Sequence, residues 1–229
     1  MSQENPTLQQ LYPFLHGGKQ DRASLEESLG ESVRQKLTHH LQVVDQFFAD
    51  HAKTVIDAAH SIADTYRLEG RLLIMGNGGS SCDASHVAVE FQHPITAGRP
   101  ALTAIDLTAD RAMLTAVAND VGYAHVFVRQ LSAHAREGDA LVGLSTSGNS
   151  ENLIKAFAKA KEMGLVTIGF TGSGGGEMNE MGLTHCLVVD SDSVHRIQEC
   201  HLIIYHVIWD LVHTFLADDR GNLKITKGR

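Results

Sequence analysis

Two glycine- and serine-rich turns stand where apolar runs end and helical patterns begin. Leu72-Leu73-Ile74-Met75 runs into Gly76-Asn77-Gly78-Gly79-Ser80-Ser81-Cys82-Asp83, and Ala140-Leu141-Val142-Gly143-Leu144 runs into Ser145-Thr146-Ser147-Gly148-Asn149-Ser150. Small and hydroxylated residues at such a junction leave backbone N–H groups and hydroxyls at the start of a helix, where the macrodipole favours an anion. Two such turns in one small domain point to a phosphorylated ligand. On the helix that follows the first turn, His86 and Glu90 are four residues apart and therefore share a face. That pair suits a shared metal or an acid and a base, although the same spacing is common between a structural histidine and a solvated glutamate. The last apolar helix carries Gln198, His201, Tyr205 and His206 among Ile197, Leu202, Ile203, Ile204, Val207, Ile208 and Trp209. Each polar group there must find a partner or be costly to bury, and a satisfied core histidine is the plain alternative to a ligand. His213, two turns further on, is expected at the surface.

These residues need a frame that brings distant turns together. From Leu25 to Tyr66 apolar residues recur at three and four, the period of amphipathic helices, as two helices or one broken near Asp50. After Gly70 short apolar runs alternate with helical stretches. Strands are expected at Arg71 to Met75, Ala101 to Ile105, Ala140 to Leu144, Val166 to Phe170 and Cys186 to Val189. Helices are expected at Ser80 to Gln92, Asp110 to Val117, Ala124 to Ala135, Glu151 to Met163, Gly176 to Met181 and Val194 to Leu216. Such alternation, with near-continuous apolar strands, predicts an α/β fold: a doubly wound five-stranded parallel sheet flanked by helices on both faces. Ligands bind such sheets beyond the carboxyl ends of the strands, where both turns fall. Residues 1–31 read as an N-terminal arm, 32–218 as the domain and 219–229 as a C-terminal tail.

The totals exclude several function classes. The 229 residues are 43% hydrophobic, enough for a sizeable core, and carry a formal net charge of −8. With 19 basic against 27 acidic residues and no basic cluster, a nucleic-acid partner is not expected. No uninterrupted apolar run approaches the ~20 residues that cross a bilayer, and no signal peptide opens the chain, so neither a membrane partner nor export is expected and the location is read as cytoplasmic. The three cysteines, Cys82, Cys186 and Cys200, show no CxxC spacing and are expected to be reduced and mostly buried.

Several motifs in order carry a resemblance: Gly76-Asn77-Gly78-Gly79-Ser80 with Cys82-Asp83-Ala84, His86-x-x-x-Glu90, Ala118-Asn119-Asp120-x-Gly122, Ser145 to Ser150, the Thr171-Gly172 to Gly176 loop, and Arg196-Ile197-Gln198-Glu199-x-His201. Together they resemble the phosphoheptose isomerases of the sugar-isomerase (SIS) family, from about Ser32 to Leu216. The resemblance implies a homotetramer whose N-terminal helices pack in the oligomer, with active sites between subunits. It implies isomerisation of sedoheptulose 7-phosphate to D-glycero-D-manno-heptose 7-phosphate, as in lipopolysaccharide or other heptose biosynthesis. Ser145, Thr146, Ser147 and Ser150 would hold the phosphate, and Asn77, Gly78, Gly79, Glu90, Asn119, Asp120 and Gln198 would contact the sugar. His86, Glu90, Gln198 and His206 match the zinc site, and Glu90 and His206 the catalytic pair. Aldose–ketose exchange needs a base and an acid facing each other across the substrate, which a carboxylate and an imidazole supply.

Phe91-Gln92-His93-Pro94 stands where the family often has a basic stretch, so a related sugar phosphate is an alternative substrate. A second alternative is a non-catalytic SIS-domain adaptor in replication initiation or transcription, against which the presence of both Glu90 and His206 argues. A dinucleotide-binding oxidoreductase fits worst: Gly76-x-Gly78-x-x-Ser81 lacks the third glycine of that fingerprint.

Overall fold

The computed structural model describes residues 22–217; the greater part of the expected arm and the whole of the expected tail lie outside these residues. The chain divides into two units, Met1–Leu41 and Gln42–Arg229. Helix α1 is assigned from Arg22 to Arg67, so residues 22–31 are its first turns, and no break occurs at Asp50. Between Gly30 and Gly70 the sequence has neither glycine nor proline to end a helix, and the Asp50 carboxylate accepts a hydrogen bond from Gln46 one turn earlier. Within the first unit Leu25, Leu29, Val33, Leu37 and Leu41, spaced by four, are exposed.

The second unit is built on five strands: β1 (Leu72–Gly76), β2 (Ala104–Asp106), β3 (Ala140–Leu144), β4 (Val166–Gly172) and β5 (His185–Val189). The helices between and after them are α2 (Gly79–Gln92), α3 (Arg111–Asp120), α4 (Val126–His134), α5 (Glu151–Glu162), α6 (Gly176–Glu180) and α7 (Val194–Ala217). All strand pairs are parallel, in the order β2-β1-β3-β4-β5. This is the doubly wound arrangement expected, and its order reverses between β1 and β3. Gly76 is in register with Leu144, so both glycine- and serine-rich turns leave the sheet side by side.

Alternate strand residues feed two cores, as a period of two requires. Leu72, Ile74, Val142, Ile168 and Phe170 join Phe47, Ile62, Phe91, Ile197 and Ile204 on one face. Leu73, Met75 and Leu141 join Phe127, Leu131, Leu153 and Phe157 on the other.

Some boundaries move for local reasons. Strand β2 begins at Ala104, not Ala101, because Leu102 N–H is taken by the Phe91 carbonyl at the end of α2. A 3₁₀ turn, Tyr123–His125, precedes α4, and β4 extends to Gly172 by pairing with Val189. His213 is a core residue, against expectation: it stacks on Phe91 at 6.2 Å and meets Trp209 edge-on at 5.0 Å. Of the cysteines only Cys200 is buried; Cys82 is exposed and Cys186 half-buried, and all three are free thiols. Helix α7 is 24 residues long and apolar enough by mean hydropathy to cross a bilayer, although polar residues interrupt its apolar stretches. Ile197, Cys200, Ile204, Ile208, Val212 and Leu216 instead form its buried stripe in the core.

Candidate active site

The β1–α2 turn is shaped by glycine. Gly78 has φ 55° and stands at the N-cap of α2 with no side chain to occupy the helix start. Gly79 lies under Gln198, whose amide oxygen would be 2.7 Å from a Cβ at that position. The Gln198 amide donates to Asp83 Oδ2 at 2.9 Å, and burial pushes the Asp83 carboxyl above the usual carboxylate range although that hydrogen bond opposes it. Asp83 and Gln198 also line an open cleft with His195, Glu199 and Leu202.

The β3–α5 turn is tied to its neighbour, the β4–α6 loop. Gly148, at φ 66°, accepts at its carbonyl from Met178 N–H at 3.0 Å, and Asn149 Oδ1 accepts from Glu177 N–H at 2.9 Å. Ser145 and Ser150 share a hydroxyl hydrogen bond of 3.0 Å, while Ser147 stays exposed. Ser150 occupies the N-cap of α5 but makes no side-chain cap hydrogen bond, so the positive end of that helix is left to another acceptor. Beneath the turn, Thr171 Oγ1 donates to Gly175 O at 3.1 Å, and His201 Nε2–H donates to Thr171 O at 3.1 Å.

Helices α2 and α7 bring His86, Glu90 and His206 together. His86 Nε2 lies 3.2 Å from Glu90 Oε1, the two imidazole rings are 5.1 Å apart, and one ligand atom from each of the three residues lies within 4.8 Å of the others. Among the described residues this is the cluster of histidine, cysteine, aspartate or glutamate side chains able to hold a metal ion. Two imidazoles and a carboxylate suit Zn²⁺, whose catalytic sites commonly take three protein ligands and keep one position open. Gln198, expected as a further ligand, is engaged with Asp83 instead, its amide oxygen over Gly79. Trp209 Nε1–H donates to the Glu90 carbonyl oxygen at 2.9 Å, fixing the turn of α2 that carries the carboxylate. Tyr205 shares a hydrogen bond of 2.8 Å with His86 Nδ1, and burial is the leading cause that raises its phenol pKa.

Asn119 and Asp120 are exposed at the end of α3, with Asn119 Nδ2 donating to Asp120 Oδ1 at 2.8 Å. The loop they open also supplies Tyr123, whose hydroxyl donates to Asn77 Oδ1 at 2.8 Å. Asn77 is further paired with Asn152. Asn152 and Tyr123 were not expected from the sequence; the signal for Asn152 is an amide two residues after the second serine turn, on the face of α5 otherwise buried as Leu153, Ala156, Phe157 and Ala160.

The SIS-domain family model matches residues 37–172. The phosphoheptose isomerase of Clostridium acetobutylicum is 44% identical over 159 residues, covering 69% of this chain and 81% of the relative. The solved phosphoheptose isomerase from Neisseria gonorrhoeae superposes with a TM-score of 0.77 at 34% identity, covering 81% of this chain and 99% of that one. The Francisella tularensis enzyme of that name gives 0.78 at 31% identity, covering 80% of this chain and 97% of the other. The match over residues 37–172 places this doubly wound chain in the SIS-domain class. Within that class it belongs to the phosphoheptose isomerase family.

Proposed function

We propose that this chain interconverts sedoheptulose 7-phosphate and D-glycero-D-manno-heptose 7-phosphate by proton transfer between neighbouring carbons. The observation that carries the reading is the convergence of Glu90 with His86 and His206 in a chain of this family. The phosphate sits at Ser145, Thr146, Ser147 and Ser150, on the uncapped start of α5. Gly78, Gly79, Asn119, Asp120 and Gln198 contact the sugar. Asn77 joins them through its backbone, since its Oδ1 already accepts from Tyr123 and Asn152.

Glu90 takes the proton from C1 of the open ketose, and the electron pair forms the C1–C2 double bond of an enediolate. His206 exchanges the hydroxyl proton between O1 and O2, and returning the carbon proton to C2 leaves the aldose. His86, Glu90 and His206 would hold Zn²⁺, with Gln198 as a fourth ligand if its amide turned away from Asp83. Zinc bound there supplies Lewis-acid polarisation of the substrate oxygens. The exposed column Leu25, Leu29, Val33, Leu37 and Leu41 supports self-association, read as a homotetramer, and the free thiols suit the cytoplasm.

Product formation from sedoheptulose 7-phosphate, measured before and after chelation, tests the reading. Glu90→Gln is expected to lower turnover by about 10²- to 10⁴-fold while sugar-phosphate binding persists. Near-normal turnover in that variant removes Glu90 as the base. A native chain that is silent on this ketose and on a panel of related phosphates overturns the isomerase reading.

A further inference from the structure

We propose that Tyr205 is a positioning residue for His86: its hydroxyl accepts a hydrogen bond from Nδ1–H, which keeps the proton there and leaves Nε2 as a lone pair facing Glu90 and His206. The inference rests on the reading of His86, Glu90 and His206 as a metal site. Tyr205 Oη lies 2.8 Å from His86 Nδ1, with the rings perpendicular at 87° and their centroids 5.6 Å apart. The opposite ring nitrogen, Nε2, lies 3.2 Å from Glu90 Oε1. A neutral imidazole carries one N–H and one lone pair, so the partner at one nitrogen decides what the other can do.

Two demands meet at Nε2. With no metal, an ionised Glu90 only accepts, and the short Nε2 to Oε1 approach asks for a proton on Nε2. A metal asks for the Nε2 lone pair, and the proton must then reside on Nδ1 with an acceptor in reach. A phenol hydroxyl meets both cases, donating to Nδ1 in the first and accepting from it in the second. Phenylalanine meets neither and would leave a ring nitrogen without a partner. Tyr205 is itself buried, its ring centroid 4.8 Å from that of His206, its neighbour in sequence. The hydroxyl therefore reaches α2 from the same turn of α7 that brings His206, and it couples the two helices that carry the ligands.

Zinc affinity of the full chain, measured by competition with a chromophoric chelator, tests this together with the imidazole ¹⁵N spectrum of the zinc-loaded protein. Tyr205→Phe is expected to weaken zinc binding by about 10- to 100-fold, and native His86 is expected to show a protonated Nδ1 and a metal-bound Nε2. Affinity within twofold of native in Tyr205→Phe, with His86→Ala losing zinc, overturns the role of Tyr205 and leaves the metal site standing. Native-like zinc binding in His86→Ala overturns both. The native spectrum requires no variant to fold, and a protonated Nε2 on His86 in the zinc-loaded chain by itself overturns the proposal.

Discussion

Asn77 and Asn152 face each other amide to amide: Asn77 Nδ2 donates to Asn152 Oδ1 and Asn152 Nδ2 donates to Asn77 Oδ1, each at 2.9 Å. One residue belongs to the turn after β1 and the other to the first turn of α5. The pair therefore joins the two glycine- and serine-rich turns where the strand order reverses. Tyr123 adds a third loop through Asn77 Oδ1, and Leu153 N–H donates to Asn152 Oδ1 at 3.1 Å.

Removing one half of this clasp strands the other. Asn152 is 3% exposed and Asn77 half-buried, so Asn152→Ala leaves the Asn77 amide with fewer partners. The expected loss is about 1–3 kcal/mol in urea unfolding, together with a raised KM for the sugar phosphate. Asn152→Asp should be no milder, because a carboxylate cannot donate to Asn77 Oδ1. Unchanged stability and KM in both variants would show that the turns hold their places independently.

Gly148 tests the contact between the second turn and the β4–α6 loop. A Cβ there would lie 1.9 Å from Gly175 O, a backbone atom, at a φ of 66° that side chains rarely adopt. Gly148→Ala thus combines a left-handed backbone cost of roughly 1 kcal/mol with a clash that no rotamer relieves. A total destabilisation of about 2–4 kcal/mol is expected, with loss of sugar-phosphate binding, checked by thermal melting and isothermal titration. A melting point within a degree or two of native would mean that the two loops separate easily.

The parallel sheet and both turns were legible because apolar strands, glycines and hydroxyls announce themselves locally, whereas the strand order is a matter of contacts between elements. His86 and Glu90 could be paired from helical spacing alone, whereas the approach of His206 required the resemblance, since no local pattern states which turn of α7 meets α2. The Asn77–Asn152 clasp and the burial of His213 depend on contacts between elements distant in the chain. A polar residue inside an apolar helix signals that a partner exists without naming it, which is why His201 and Tyr205 stood out while Thr171 and His86 could not be assigned to them. The break expected near Asp50 failed because aspartate only weakly disfavours a helix interior.

Hydroxyls of the second turn should distinguish phosphorylated from free sugars. Ser147 is exposed and Ser150 turns its hydroxyl to Ser145 in place of capping α5, so both can donate to an anion at the helix start. Ser147→Ala combined with Ser150→Ala is expected to weaken binding by roughly 1.5–3 kcal/mol for each charge-assisted hydrogen bond lost. Affinity for an unphosphorylated heptose should change little. Equal losses for both ligands, measured by calorimetry, would place the phosphate elsewhere.

His201 predicts how stability depends on pH. It is fully buried, and desolvation lowers its pKa from 6.5 to about 4 although its hydrogen bond to the Thr171 carbonyl pulls the other way. The folded protein therefore keeps this ring neutral at pH values where the unfolded chain already protonates it. Stability from this group is complete above about pH 6.5 and falls as the pH drops toward 4, where the folded form protonates as well. The full effect is roughly 3 kcal/mol across that window. His201→Gln keeps an amide donor for Thr171 O and removes the titration. Denaturant unfolding of native protein and variant at pH 7 and pH 5 should show the native chain losing more stability on acidification, while the variant, weaker at pH 7, narrows the gap. Parallel losses in both proteins would mean that His201 does not titrate differently on folding, and that its neutral ring is not what anchors the end of β4 beneath the second turn.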